Sequence, residues 1–182
     1  MPDLSILKSP APYHILAYGT LLGTQFFQTF VGGITAFRAL PRPQFASLQQ
    51  KIFPIYFGIQ TVLPAVVALT CPGSLLTGKP AGISGTIAEG NTWSVLVPVA
   101  TIFVTSLVNM AVVGPATTSI MRERKHQETR DGKKSYDPAP HSKEMIKLNK
   151  RFGAMHGVSS LLNLAGFIAT VWYGVSLSER IV

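Results

Sequence analysis

The chain has 182 residues and a formal net charge of +8, yet only 13% of its residues are charged. An ordinary soluble domain carries about 25% charged residues, so the composition argues against a soluble fold. The length suits one domain. The single cysteine, Cys71, excludes an intramolecular disulfide.

The charged residues are clustered, which leaves four long stretches without Asp, Glu, Lys or Arg. These stretches hold 29, 27, 32 and 27 residues. A membrane helix needs about 20 mostly apolar residues, whereas a soluble helix would carry charge on its wet face. The chain is therefore predicted to be an all-α integral membrane protein, a four-span antiparallel helix bundle in a single transmembrane domain over 1–182. The predicted spans are 13–37, 52–71, 93–121 and 152–177.

The first predicted span has two unlike faces when it is drawn at 100° per residue. Its aromatic face is formed by Phe26, Phe27, Phe30, Ile34 and Phe37. Its polar and small-residue face is formed by His14, Tyr18, Gln25, Gln28, Thr29, Gly32 and Ala36. In lipid, the polar face should turn towards the other helices.

Prolines and glycines predict the connections. Residues 38–51 are expected to be a loop, with Pro41 and Pro43 ending the first helix. Pro54 suits the first turn of span two, and Pro64 should kink it. Residues 72–92 are expected to be irregular.

The second half of the chain carries two further signals. Gly114-Pro115 should bend the third helix, which then continues past the membrane. Residues 122–151 form a basic cytosolic loop in which Asp137 could cap a helix that has Pro138 at its first position. From Ser142 onward the helical pattern leads directly into span four.

Loop charge predicts the topology. Loops 38–51 and 122–151 hold thirteen Lys and Arg residues, whereas the termini and the 72–92 connection hold three. Cytosolic loops carry the excess of Lys and Arg, so both termini should be non-cytosolic, with the first span acting as an uncleaved signal-anchor. A multi-pass protein of the endomembrane system or plasma membrane is expected, and the sequence does not name the organelle.

The net positive charge also bears on which partners are expected. Most of it lies on the cytosolic loops, so binding to nucleic acid is not needed to explain it. The ten basic residues of the 122–151 loop would attract membrane lipids with anionic headgroups, although five interspersed acids weaken that attraction. A solvated, solubilising loop is the other interpretation. Protein partners and homo-oligomerisation stay open.

Polar side chains of all four spans fall in one layer, ~8–20 Å from the cytosolic ends. This predicted polar site comprises Gln25, Gln28, Tyr56, Gln60, Asn109, His156, Ser160 and Asn163. The layer could be interhelical glue, at ~0.6 kcal/mol for each hydrogen bond. The alternative is a cytosol-facing cavity for a small solute or lipid headgroup. His156 is the favoured residue, with Ser160 as its nearest partner.

Enzymatic interpretations lack the residues they need. His14 and His156 are offset by ~28 Å, too far to be the two axial ligands of one haem. The spans contain no acid for ion coupling, and neither Cys71 nor Ser160 has the partners of a nucleophile. No catalytic residue, cofactor or metal is therefore predicted, and the protein is not expected to be an enzyme.

Several motifs carry a family resemblance. They are GTQFFQTFVGG with FRALPRPQF, then QQKIFPIYF, NMAVVGPATTSIMRER and LNKRFGAMHGVSSLLNL. With these motifs the chain resembles the transmembrane protein 205-like family over most of its length, except residues 72–92. The resemblance implies a four-helix membrane domain of unestablished activity, discussed in connection with drug tolerance and vesicle traffic, and it supplies no catalytic or binding residues.

Two function classes follow from these observations. The chain is expected to bind or pass a small molecule or lipid, or to support membrane trafficking or drug tolerance. Alternatively, it is a structural or scaffolding membrane subunit whose polar layer only joins its helices. A continuous water-accessible cavity lined by Gln28, Gln60 and His156 would favour the first class, and a tightly packed, fully hydrogen-bonded layer would favour the second.

Overall fold

The computed structural model describes residues 4–73 and 80–180, and every regular element in those ranges is helical. After a 3₁₀ turn at Leu4–Lys8, α1 covers Ala11–Phe26. It continues through a π-helical turn at Phe27–Gly32 into α2, Gly33–Ala39. These three elements form one unbroken rod, called here the first long helix.

The second long helix, α3, covers Arg42–Leu69. The predicted loop at 38–51 is therefore wrong over most of its length. Pro41 caps this helix with extended backbone, and the next proline lies in the first turn, where no backbone donor is needed. Pro54 consequently lies inside the helix rather than in its first turn, and the helix also continues through Pro64.

The third long helix is Glu89–Asp131. It follows the short α4, Gly82–Ile87, so the described part of the 72–92 connection is largely helical; residues 74–79 lie outside the description. It begins as a 3₁₀ turn and then contains π turns at Thr92–Leu96 and Asn109–Val113, with α5 at Val97–Val108 and α6 at Gly114–Asp131. The irregularity expected near Gly114-Pro115 is thus a π turn just before the pair.

The fourth long helix, α7, covers Lys143–Ser178. Its cap is Ser142, whose hydroxyl accepts the backbone N–H of Met145 at 3.1 Å. The expected cap at Asp137 is wrong, because that carboxylate accepts the backbone N–H of Lys134 in a turn at 2.8 Å. The predicted loop at 122–151 is therefore helical at both ends, and only 132–142 connects the two helices.

Three helices of the described residues are long and apolar enough to cross a membrane: Arg42–Leu69, Glu89–Asp131 and Lys143–Ser178. They indicate a membrane protein. The first long helix does not reach that standard of composition, and the imidazole and amides on its inner face are the physical reason.

The polar face of the first long helix does turn inward. Its buried residues are His14, Ala17, Leu21 and Gln25. On its outer side, Phe26, Phe27, Phe30, Ile34 and Phe37 are 44–58% exposed. Thr29 is the one member of the predicted polar arc with an exposed side chain.

Candidate functional site

Two groups of buried and half-buried polar side chains lie between the helices, and each includes residues of the inner face of the first long helix. The first group, called here the terminal cluster, consists of His14, Thr70, Asn91, Tyr173 and Arg180. The His14 ring is 1% exposed, and each of its nitrogens has a partner. Its Nδ1 lies 3.0 Å from the Thr70 hydroxyl, and its Nε2 lies 2.8 Å from the Tyr173 hydroxyl. The start of the first long helix is thereby tied to the ends of the second and fourth.

The hydrogen bonds of the terminal cluster fix the His14 tautomer. The Thr70 hydroxyl donates to the Val66 carbonyl at 2.6 Å, so its oxygen accepts from His14 Nδ1–H. The other ring nitrogen of a neutral imidazole is then an acceptor. Tyr173 must therefore donate its hydroxyl to His14 Nε2. Both ring nitrogens of His14 and the hydroxyl protons of Thr70 and Tyr173 are thus used in hydrogen bonds.

Arg180 extends the terminal cluster to the connection before the third long helix. It donates to the Pro72 carbonyl at 3.0 Å and to Asn91 Oδ1 at 2.7 Å. The Asn91 amide nitrogen donates in turn to the Gly85 carbonyl at 2.6 Å. The cluster thus joins elements from the whole length of the chain, and none of its side-chain nitrogen or oxygen atoms is buried without a hydrogen-bond partner.

The second group lies deeper between the helices and is called here the middle layer: Gln25, Gln60 and Asn109. These side chains come from three different helices and are 3%, 2% and 0% exposed. Gln60 Nε2 donates to the Thr24 hydroxyl at 2.8 Å, and Asn109 Nδ2 donates to the Ser159 carbonyl at 3.3 Å. Each of the three amide oxygens, by contrast, is buried without a hydrogen-bond partner.

The orientation of two of these amides is set by their neighbours. Thr24 donates its hydroxyl to the Thr20 carbonyl at 2.8 Å, so it can only accept from Gln60. A backbone carbonyl also only accepts, so Asn109 must present its nitrogen to Ser159. Exchanging oxygen and nitrogen would break these bonds, and the oxygens of Gln60 and Asn109 are therefore the free atoms.

Gly166 allows the middle layer to close. A Cβ at Gly166 would lie 3.1 Å from the Thr105 hydroxyl and 3.8 Å from Gln25 Nε2. Asn109 follows Thr105 by one helical turn, so it lies on the same face of the third long helix. The first, third and fourth long helices therefore meet at this depth around a residue without a side chain.

The middle layer also borders two widened turns of helix. In both, a glycine N–H donates to the carbonyl of an amide residue five positions earlier: Gly33 to Gln28, and Gly114 to Asn109. A Cβ at these glycines would lie 3.0 Å and 2.8 Å from the same carbonyls. Such π turns occur frequently at functional sites.

The structure brings together only part of the predicted polar site. Gln25, Gln60 and Asn109 form the middle layer, and Tyr56 is buried near it. Gln28 and Asn163 are half-buried, and Gln28 donates to Gln49 Oε1 at 3.4 Å.

The expectation that His156 and Ser160 belong to this layer is wrong, because both side chains are exposed. The His156 ring stacks on Phe152 at 6.0 Å, and the Ser160 hydroxyl donates to the His156 carbonyl at 2.9 Å. Arg124 covers Phe152, and burial is the main cause that lowers the pKa of Arg124, with Glu128 opposing it. The side chains of His156 and Ser160 thus face outward at this depth, whereas Asn163 is half-buried.

The described residues contain no group of three His, Cys, Asp or Glu side chains that could hold a metal ion. His14 bonds Tyr173, which follows His156 by about 25 Å along the fourth long helix. The two histidines are therefore as far apart as the sequence predicts.

Sequence reasoning missed the terminal cluster. It placed His14 on the polar face of the first span and weighed it as a haem ligand, and it assigned Tyr173 to an aromatic belt, but it did not pair His14 with Tyr173 or Thr70. The signal was present, because His14 begins the polar face of the first span. Gln49 was missed because it lay in a predicted loop.

Comparison with known proteins places the chain in a family. Residues 16–126 match the family described as "Domain of unknown function (DUF4149)". Over 179 residues the chain is 32% identical to the "Xanthocillin biosynthesis cluster protein D" of Aspergillus fumigatus, which covers 98% of this chain and 96% of that protein. No solved structure matches. The chain therefore belongs to the DUF4149 family.

Proposed function

We propose that this chain is a multi-pass membrane protein with four antiparallel spans, non-cytosolic termini and a non-catalytic role. The first long helix supplies the fourth span, because helices with a polar inner face can cross lipid when that face is buried against protein. Its start bonds the ends of the second and fourth long helices through His14, as antiparallel neighbours would. The transmembrane protein 205-like resemblance supports the same arrangement.

We propose further that the middle layer binds a small molecule that donates hydrogen bonds. The observation that carries this proposal is the set of three buried amide oxygens without partners, on Gln25, Gln60 and Asn109. Leaving such an acceptor unpaired costs ~1–3 kcal/mol. A bound hydroxyl or amine would recover that free energy, so the layer is built to favour an occupant that carries donors.

The name of the Aspergillus relative adds support from another direction. That protein is named for a biosynthesis cluster. A membrane protein that holds or passes a small molecule would suit such a setting, and it would also account for a role in drug tolerance or trafficking. We propose that this chain is likewise a membrane protein that holds or passes a small molecule.

The alternative is a scaffolding subunit, and one observation favours it. The bonds from Gln60 to Thr24 and from Asn109 to Ser159 already join helices. In that case the free oxygens would be satisfied by water alone.

Thermal unfolding of the purified protein against a panel of hydroxylated, amine-bearing and lipid compounds tests the proposal. We expect at least one donor-bearing compound to raise the unfolding temperature in a saturable way. Gln60→Leu should lower the apparent affinity for that compound at least tenfold, whereas Gln44→Leu, at an exposed position near the start of α3, serves as the control. Stabilisation that never depends on Gln60 would favour the scaffold.

A further inference from the structure

A groove lies between the first and second long helices, at the end opposite the terminal cluster. Its volume is about 350 Å³. Small residues of the first long helix, Gly32, Ala36 and Ala39, form its floor. Leu48 and Ile52 of the second long helix form its wall. Floor and wall residues repeat at three- and four-residue spacing, so one face of each helix lines the groove.

The groove has the length of one lipid leaflet. It extends along the first long helix from Phe27 to Ala39, ~18 Å at helical rise. Half of a hydrocarbon core of ~30 Å is of similar size. At the inner end, the Phe27 ring packs over Gly32, where a Cβ would lie 2.9 Å from the ring. The length of the cleft therefore matches that of an acyl chain in one leaflet.

Three cations lie close in sequence to the residues that line the groove, two of them at its Ala39 end and the third beside Ile52. Arg38, Arg42 and Lys51 are exposed, and the Arg42 guanidinium lies 3.8 Å from the centroid of the Phe37 ring. No Asp or Glu occurs between residues 4 and 88. The ion pairs formed within 4–73 and 80–180 are Lys134–Glu128 and Arg151–Glu123, both in other segments. The positive charge at this groove is therefore not neutralised by carboxylates of the surrounding helices.

A second groove provides a contrast. It is lined by Ala116, Ser119, Ile120, Arg151, Ala154 and Met155, with a volume of about 410 Å³. Its cation, Arg151, lies 3.2 Å from the carboxylate of Glu123. The two grooves are alike in size, but the second is lined by a cation that already has an anionic partner, whereas the cations near the first groove have no carboxylate partner.

We propose that the first groove binds an anionic phospholipid, with one acyl chain along Ala36 and Leu48 and the headgroup phosphate at Arg38 and Arg42, while Lys51 lies further along the second long helix and reaches the headgroup only through an extended stem. Guanidinium groups bind phosphate through paired hydrogen bonds, and a lysine stem can extend along apolar surface to reach a headgroup. Anionic lipids are concentrated in the cytosolic leaflet, where the charge asymmetry places this end of the molecule. The site is separate from the middle layer and does not depend on the function proposed for it.

The test uses the full chain, purified in detergent, with phosphatidylserine, phosphatidylcholine or inorganic phosphate added. Thermal stabilisation and lipid retained in native mass spectrometry are the measurements. We expect saturable stabilisation by phosphatidylserine only. The combined substitution Arg38→Gln, Arg42→Gln and Lys51→Gln should weaken it at least tenfold.

Matched control variants distinguish binding at this groove from attraction by the net positive charge of the protein. Lys125→Gln, Arg130→Gln and Lys147→Gln together remove the same charge from exposed positions elsewhere, and they should leave phosphatidylserine binding unchanged. Ala36→Leu should block the groove with all cations present, whereas Ala154→Leu in the second groove should not. Ala39→Leu replaces Ala36→Leu if that variant folds poorly.

Three results would overturn the proposal. The control triple variant could weaken binding equally, which would indicate attraction by net charge. Ala36→Leu and Ala39→Leu could both bind normally, which would exclude the groove. Inorganic phosphate could displace phosphatidylserine at millimolar concentration, which would indicate a free-phosphate site.

Discussion

The terminal cluster and the middle layer are both polar and centred on buried side chains, yet they differ in how their hydrogen bonds are used. In the terminal cluster, both nitrogens of His14 have partners, and Arg180 binds two further groups. In the middle layer, Gln25, Gln60 and Asn109 each keep an oxygen without a partner. The two groups therefore differ in their roles: the terminal cluster joins helix ends, whereas the middle layer keeps three hydrogen-bond acceptors unpaired.

Stability measurements can sharpen this comparison. A fully paired cluster should lose stability whenever one member is removed, because the remaining partners stay buried without bonds. An underpaired layer should tolerate the loss of an amide, because the change also removes an unsatisfied oxygen. The variants below range from the largest expected effect to the smallest, and unfolding of purified protein in detergent measures each one.

His14→Leu should have the largest effect. It removes both ring bonds and leaves the Tyr173 hydroxyl and the Thr70 oxygen unpaired. We expect a loss of ~3 kcal/mol in the free energy of unfolding. A loss below ~1 kcal/mol would show that the terminal cluster does not hold the helix ends.

Gly174→Ala tests the packing beside the same cluster. The Tyr18 hydroxyl occupies the place of a Cβ at Gly174 and donates to the Thr170 carbonyl at 3.4 Å. Overpacking should cost ~2 kcal/mol. Gly157→Ala, on the same helix with nothing within 4 Å of its Cβ position, is the control and should not lower stability. Equal effects of the two variants would contradict this packing.

Gln60→Leu tests the middle layer. The substitution loses the bond to Thr24 at 2.8 Å but also removes a buried oxygen that lacks a partner. The opposing changes should leave the free energy of unfolding within ~1 kcal/mol of wild type. A cost as large as that of His14→Leu would mean that the layer is as fully bonded as the terminal cluster.

His156→Gln should have the smallest effect. The ring is exposed and stacks only on Phe152 at 6.0 Å. Exposed substitutions of this kind change stability by less than ~0.5 kcal/mol. A larger loss of stability would indicate that the His156 side chain lies in the interior, as the sequence predicts.

The helices and the inward polar face follow from the sequence because charge and helical period are local properties. Two features are not determined by such local properties: the cap of the fourth long helix at Ser142, and the loop predicted over 38–51, which contains Gln49. The true cap of the fourth long helix competes with Asp137, and only tertiary packing decides which turn forms. Pro41 and Pro43 predict a break between two helices, yet Pro43 also suits the first turn of a helix. The loop predicted over 38–51 is therefore only a short turn before α3 begins.

The candidate site was predictable only in part, for the same reason. Gln25, Gln60 and Asn109 share a depth that counting residues can recover. The error at His156 arose because depth fixes the level of a side chain and not its direction. Whether it faces inward depends on how the fourth long helix rotates against its neighbours, and a single sequence contains no such angle. The pairing of His14 with Tyr173 joins the two ends of the chain and has no local signature.

The central claim is that the middle layer, and not the terminal cluster, binds a small molecule. The most direct test measures stabilisation by a compound from the panel in two variants, Gln60→Leu and Tyr173→Phe. Tyr173→Phe should lower the unfolding temperature but leave the ligand-dependent increase intact, since its hydroxyl serves only His14. Gln60→Leu should keep the unfolding temperature and lose the increase. The reverse pattern, with the increase lost in Tyr173→Phe and kept in Gln60→Leu, would contradict the claim.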